Sequence, residues 1–295
     1  MTKPTWANSR FRAMTGTPFA QIDALIAAIL GGGGAGSNVG DVLAREGFCA
    51  RGRIAVLDHD CFEPSDLPRN ALVAACEQDR AIGKGKASWA ARVIRRRGIP
   101  AEGHKMRVEA PRTLRLLRRL LPQVIFDCLD NDGGRLTSEL IGRALDVPVI
   151  HVGMGMSRAD GSAGGQVFVS HRGACLLCLP GAIDVEQARL DLLPLDVREQ
   201  RRREGYDDAR PTEPTPMSAH LCAIVAGLAV QALIDLLAAP ENTVGEICFF
   251  SLREPAIRRA TVVQDPSCPL CTSKSAASRR PRKLPLPKVI LRSQP

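Results

Sequence analysis

Short apolar runs alternate with amphipathic stretches along this chain, and the alternation predicts its elements. Ala24 to Leu30 reads as a strand, Ser37 to Glu46 as a helix with Val39, Val42, Leu43 and Ala44 at helical spacing, and Arg53 to Leu57 as a second strand ending at Asp58. Lys84 to Arg97 predicts a basic helix, Lys105 to Glu109 a short strand, and Leu114 to Leu120 another helix. Gln123 to Cys128 has a buried-strand pattern and runs into Leu129, Asp130 and Asn131. Beyond it, Leu136 to Leu145 predicts a helix, Val147 to Val152 a strand, Gly153 to Gly165 a glycine-rich stretch that is mobile or turn-like, and Gln166 to Ser170 an antiparallel strand. Gly181 to Pro216 is charged and broken by prolines, which predicts a long crossing segment. An apolar helix over Ala219 to Ala238 and strands over Glu246 to Leu252 and Ile257 to Val263 complete the pattern. Strands that alternate with helices imply an α/β fold: a Rossmann-like, mostly parallel sheet with helices on both faces, extended by antiparallel strands.

Charge changes the picture less than its total suggests. The chain of 295 residues carries a net charge of +9, but seven basic and no acidic residues lie in 273–295, leaving +2 for the body. A nucleic-acid partner is therefore not expected. The expected organisation is an N-terminal arm over 1–22, one large domain over 23–272 and a basic tail over 273–295, rich in Ser and Pro and read as disordered. Ten cysteines without a secretory signal point to a reducing, cytoplasmic setting. Gln231 and Asp235 interrupt the most apolar stretch, Leu221 to Leu237, so a buried helix is expected and no membrane contact.

The chemistry begins at Leu30-Gly31-Gly32-Gly33-Gly34-Ala35-Gly36-Ser37-Asn38, where a strand turns into a helix. Gly31, Gly33 and Gly36 fit G-x-G-x-x-G, in which glycine permits a tight turn, close approach to phosphates and close helix-on-strand packing. Four consecutive glycines fit many patterns, a plain flexible loop among them. Asp58 stands 22 positions after Gly36, where this kind of fold presents a carboxylate to a ribose diol. NAD and ATP are equally served to this point.

The following motifs separate the two. Asp58-His59-Asp60, then Asp66-Leu67-Pro68-Arg69, Gly83-Lys84-Gly85-Lys86 and Asp127-Cys128-Leu129-Asp130-Asn131 occur in that order. The series resembles the ThiF/MoeB/ubiquitin-activating enzyme superfamily, with its glycine loop, D-x-D, N-L-x-R, G-x-x-K and D-x-x-D-N, from about Leu25 to Cys271. The resemblance implies ATP held by Gly31, Gly33, Gly34, Gly36, Asn38, Asp58, Asp60, Arg69, Lys86, Asp130 and Asn131. Within that set it makes Asp58 the ribose ligand, Arg69 and Lys86 the phosphate contacts, and Asp130 the carboxylate holding Mg2+. It also implies a homodimer in which an N-terminal arginine, here Arg10 or Arg12, enters the partner subunit's site. Two residues depart from the pattern: Asp66 replaces the usual Asn and Asn70 the usual Gln, and Asp66 adds negative charge near a triphosphate.

Two C-x-x-C pairs, Cys175/Cys178 and Cys268/Cys271, have the grouping of a closed tetrahedral zinc site of structural type. Many relatives pass the acyl group from AMP to a cysteine in the crossing loop, but Gly181 to Pro216 has none and Pro214 stands near that place. Cys222 is the nearest thiol and the candidate acyl acceptor, set against its reading as a core thiol. The histidines, His151 at a strand end among them, are read as structural. The activity implied is ATP-dependent adenylation of the C-terminal carboxylate of a small ubiquitin-like or sulfur-carrier protein, without a crossing-loop cysteine. The alternatives are adenylation of a peptide in natural-product synthesis and an NAD-dependent oxidoreductase.

Overall fold

The computed structural model describes residues 22–156, 161–204, 217–253 and 256–271. Eight strands form one sheet in the order β3-β2-β1-β4-β5-β6-β7-β8. The first five run parallel: β1 (Ile26–Leu30), β2 (Arg53–Leu57), β3 (Ala101–His104), β4 (Val124–Asp127) and β5 (Val149–Met156). The last three add antiparallel ladders: β6 (Ala163–Ser170), β7 (Glu246–Ser251) and β8 (Ala256–Thr261). Seven helices of eight residues or more accompany them among the described residues: α1 (Gly34–Arg45), α2 (Lys86–Arg96), α3 (Pro111–Leu120), α4 (Asp132–Leu145), α5 (Val185–Leu192), α6 (Leu195–Arg203) and α7 (Ala219–Ala238).

The parallel strands are apolar throughout because both of their faces are covered. In β1, Ala27 and Ile29 join the core formed with α1, α2 and α7, while Ala28 and Leu30 point the other way, towards Leu116, Leu117 and Leu120 of α3 and Ile141 of α4. One described helix, α7, is long and apolar enough to cross a membrane, but it packs between α1 and strands β5 and β6. Leu221, Cys222, Val225, Ala226, Ala229 and Leu233 on it are fully buried. A helix apolar on most sides belongs in such a core.

Two sequence expectations change. The strand expected over Lys105 to Glu109 lies at Ala101–His104, because β2 fixes the register, Ile54 pairing with Ala101 and Leu57 with His104. The apolar residues Met106 and Val108 pack beneath the sheet without entering a ladder. The described ends of the stretch from Gly153 to Gly165 are not turn-like: they are the paired strands β5 and β6, from Gly153↔Gln166 to Met156↔Ala163. Glycine is required there by close packing, since a Cβ at Gly165 would lie 2.6 Å from the Phe250 ring. The described part of the crossing segment holds two helices, α5 and α6, and α5 docks on the start of α4, where Gly133 N donates to Asp191 Oδ2 at 3.1 Å.

Candidate active site

The strand order reverses about β1, with β2 and β3 on one side and β4 on the other. In an open parallel sheet the crevice beyond the strand ends at that reversal is where ligands bind. The glycine loop leaves β1 there and the D-x-x-D-N loop leaves β4 beside it. Gly31 has φ +95°, and a Cβ on it would stand 2.7 Å from Cys128 O. Gly36 is more constrained, its would-be Cβ only 1.8 Å from Gly31 O. Gly33 caps the N-terminus of α1 with open space around it. The loop is thus pressed against the neighbouring loop on one side and opens its backbone on the other.

A cavity of about 240 Å3 lies in the crevice. Its walls include Gly31, Gly33, Gly34, Asp58, Asp60, Arg69, Lys86, Asp130 and Asn131, residues that five separate sequence motifs contribute. Asp58 directly follows β2 and is buried, with Oδ2 accepting from Gly32 N at 2.6 Å and Oδ1 from Asp60 N at 2.7 Å. Burial raises its pKa, against the pull of those two N–H donors and of Lys86. Lys86 opens α2 at its N-terminus. Burial disfavours its ammonium, but the bond to Asp66 and the charges of Asp66, Asp58 and Asp60 outweigh that and raise its pKa.

Arg69 and Lys86 meet on one carboxylate. Asp66 takes Arg69 Nη2 on Oδ1 at 2.8 Å and Lys86 Nζ on Oδ2 at 3.1 Å. The segment around them is stitched to the glycine loop, with Asn70 Nδ2 donating to Gly32 O at 3.1 Å and Asn38 Nδ2 to both Gly34 O and Arg69 O. Asn38 and Gly36 therefore stand behind the cavity wall, and Asn38 holds Arg69 by its backbone. Asn131 spends Oδ1 on the N-cap of α4, accepting from Gly134 N at 2.6 Å. The Asp130 carboxylate is exposed at the cavity wall and has no side-chain partner among the described residues. Arg10 and Arg12 lie outside the described residues.

Arg135, absent from the sequence-derived set, also lines the cavity. It sits one helical turn after Asn131, pairs with Asp127 at 3.9 Å and donates to Ala182 O of the crossing segment at 3.3 Å. Its position four residues after Asn131, directly before the helix expected from Leu136, was the available signal.

Cys222 is fully buried beneath the loop: a Cβ on Gly34 would lie 2.7 Å from its Sγ. Burial raises its thiol pKa against the pull of Arg69. A buried thiol of raised pKa is a poor nucleophile.

Away from the cavity the four paired cysteines converge. Their sulfurs lie within 4.8 Å of one another, with Cys175–Cys268 and Cys178–Cys271 at 3.4 Å and Cys175–Cys178 at 3.8 Å. Four sulfurs at about 2.3 Å around one zinc stand roughly 3.8 Å apart, so the donor set fits that metal. Between this cluster and the cavity runs a buried chain of charges. His151 Nδ1 meets Asp127 Oδ2 at 2.6 Å and its Nε2 meets Glu139 Oε2 at 2.9 Å. Glu139 also accepts from Ser170 Oγ at 2.8 Å and Arg143 Nε at 2.6 Å. Burial opposes both charges, yet the pairing raises the His151 pKa and holds Glu139 down at about 2.

A family model described as the ThiF family matches residues 9–270. The chain belongs to the ThiF family. As a member it is an ATP-dependent adenylyltransferase-type enzyme acting on a substrate carboxylate. Among solved structures, PaaA aligns with a TM-score of 0.58 at 18% identity, covering 82% of this chain and 74% of PaaA. Escherichia coli MccB in complex with MccA-N7isoASN gives a TM-score of 0.61 at 17% identity, covering 85% of this chain and 68% of MccB. The same enzyme crystallised with ATP gives 0.60 at 17% identity, with the same coverage. These likenesses carry the fold. No curated protein matches the sequence.

Proposed function

We propose that the chain adenylates the carboxylate of a peptide or small protein with ATP and passes the adenylate to a nucleophile on another molecule. The convergence of Asp58, Arg69, Lys86 and Asp130 on one cavity below the α1 N-terminus carries this reading. A carboxylate oxygen attacks the α-phosphorus, the bond to the bridging oxygen of the β-phosphate breaks, and pyrophosphate leaves. Attack brings two anions together, so fixed positive charge and oriented N–H groups at the phosphates lower the barrier. Arg69 and Lys86 supply that charge, the free N–H groups of the loop and α1 face the phosphates, and Asp58 orients the ribose. The exposed Asp130 carboxylate suits Mg2+, which supplies charge neutralisation at the departing pyrophosphate. Cys175, Cys178, Cys268 and Cys271 would hold a structural zinc tying residues near the end of the chain to its middle.

The likeness to the microcin C7 biosynthetic enzyme MccB, whose structure is known in complex with N-formylated MccA, favours a peptide as the acyl substrate. ThiF membership keeps a ubiquitin-like or sulfur-carrier protein as the second reading. The burial of Cys222 supports a reaction with no thioester on that residue. Homodimerisation, with Arg10 or Arg12 reaching the partner's site, accompanies either reading.

Labelled pyrophosphate exchange into ATP tests the reading against a panel of peptides and of small proteins ending in Gly-Gly. Exchange should need one class of substrate and should be lost in Asp130→Ala. Exchange that survives Asp130→Ala would refute the assignment.

A further inference from the structure

Asp66 holds the two cations assigned to the phosphates. Its two oxygens are held by Arg69 Nη2 at 2.8 Å and Lys86 Nζ at 3.1 Å, and Oδ2 also accepts from Glu63 N at 3.1 Å. The side chain is almost fully enclosed, so little water screens these contacts. Arg69 is further fixed by a bond from Nη1 to Ser65 O at 2.6 Å, and Lys86 by Asp60 Oδ2 at 3.6 Å. The two cations assigned to the nucleotide phosphates thus already share a carboxylate of the chain itself.

The rest of the cavity deepens the imbalance. Six carboxylates line it (Asp58, Asp60, Asp66, Glu109, Asp130 and Asp132), against the three permanent cations Arg69, Lys86 and Arg135 among the described residues. A triphosphate entering alone adds negative charge to a negative site. At Asp66 it must either turn both cations away from a carboxylate or share them with it at close range, where like charges repel strongly.

We propose that Asp66 competes with the phosphates of ATP for Arg69 and Lys86, and so makes nucleotide binding conditional on a divalent cation. This rests on the reading of the cavity as an ATP site. A cation bound with the nucleotide offsets the charge that Asp66 contributes, whereas free ATP meets the clasp unaided. An asparagine there still accepts a hydrogen bond but no longer carries the competing charge. A role for Asp66 in merely pre-orienting the two cations predicts the opposite sign, since its removal would then loosen them and weaken binding.

Isothermal titration of ATP, with and without Mg2+, into the full chain and into Asp66→Asn and Asp66→Ser separates these outcomes. Serine keeps an oxygen for the turn at Glu63 should asparagine disturb folding. The variants should bind metal-free ATP about tenfold more tightly than the wild type. The gain should shrink in Mg2+ and be absent for adenosine. ATP affinity that is unchanged or lower in variants with wild-type thermal transitions overturns the proposal, as does an equal gain for adenosine. If wild type binds ATP and the variants do not tighten, the clasp fails and the adenylation reading stands. If pyrophosphate exchange fails while the variants tighten, the adenylation reading fails alone. Absence of ATP binding in every form overturns both.

Discussion

Gly36 rests on Gly31, with no room between them for a methyl group: a Cβ on Gly36 would stand 1.8 Å from Gly31 O. The contact sets the angle at which α1 leaves β1 and hence the aim of its N-terminal N–H groups. Gly36→Ala should destabilise the fold by about 2 kcal/mol or more and abolish exchange, since the obstacle is backbone. Gly33→Ala meets nothing within 4 Å, so its melting temperature should stay near wild type while ATP binding weakens. Calorimetry of both variants beside ATP titration checks the contrast.

Arg135 faces the cavity and reaches the crossing segment through Ala182 O. Arg135→Ala should lower the exchange rate roughly tenfold to a hundredfold, as expected for loss of one positive group at a charge-developing site. Arg135→Lys should recover part of it. Equal rates in all three forms would place Arg135 outside the reaction.

The buried His151 makes stability depend on pH in a stated direction. Its folded pKa is raised above 6.5, so its contribution is fully present below pH 6.5 and lost as pH rises through the folded value. Glu139 acts on the acid side: its stabilisation is present above pH 4.5 and fades as pH falls towards about 2. His151→Gln should cost about 3–5 kcal/mol at pH 6, because Asp127 and Glu139 are left buried without their cation. The alkaline slope should flatten in that variant. Urea unfolding at several pH values measures both effects.

Zinc should be found at one atom per chain by emission spectroscopy of the purified protein. Cys175→Ser or Cys268→Ser should lose it and lower the melting temperature, while serine at the exposed Cys76 should change neither. Retention of full zinc content by both site variants would exclude the four-cysteine assignment.

Cys222→Ala should leave exchange and product formation intact, because the thiol is enclosed under Gly34. It should cost about 1–2 kcal/mol of stability through the cavity left behind. A reductant-sensitive adduct of acyl substrate on wild type that disappears in this variant would assign Cys222 a covalent step.

The order of strands and helices from Ala24 to Val152, the glycine loop and the two cysteine pairs were legible in the sequence. Each is written in residues close together along the chain: an apolar period, a strand-to-helix junction, a C-x-x-C spacing. The position of β3 was not legible, because Met106 and Val108 are apolar for packing beneath the sheet while the ladder register is decided by β2. Nor was the β5–β6 hairpin, whose glycines read as a turn until Phe250 of β7 is brought against them.

The same division runs through the site. Arg69 and Lys86 stand out by motif, and Asp66 as a departure from it, but only the fold sets that carboxylate between the two cations. Asp127, His151 and Glu139 lie on three different elements, and no spacing in the chain announces that they form one buried row. Local sequence determines which elements form, since their hydrogen bonds and periods are short-range. Which charges meet depends on strand register and helix packing, and these are decided only when distant segments close on one another.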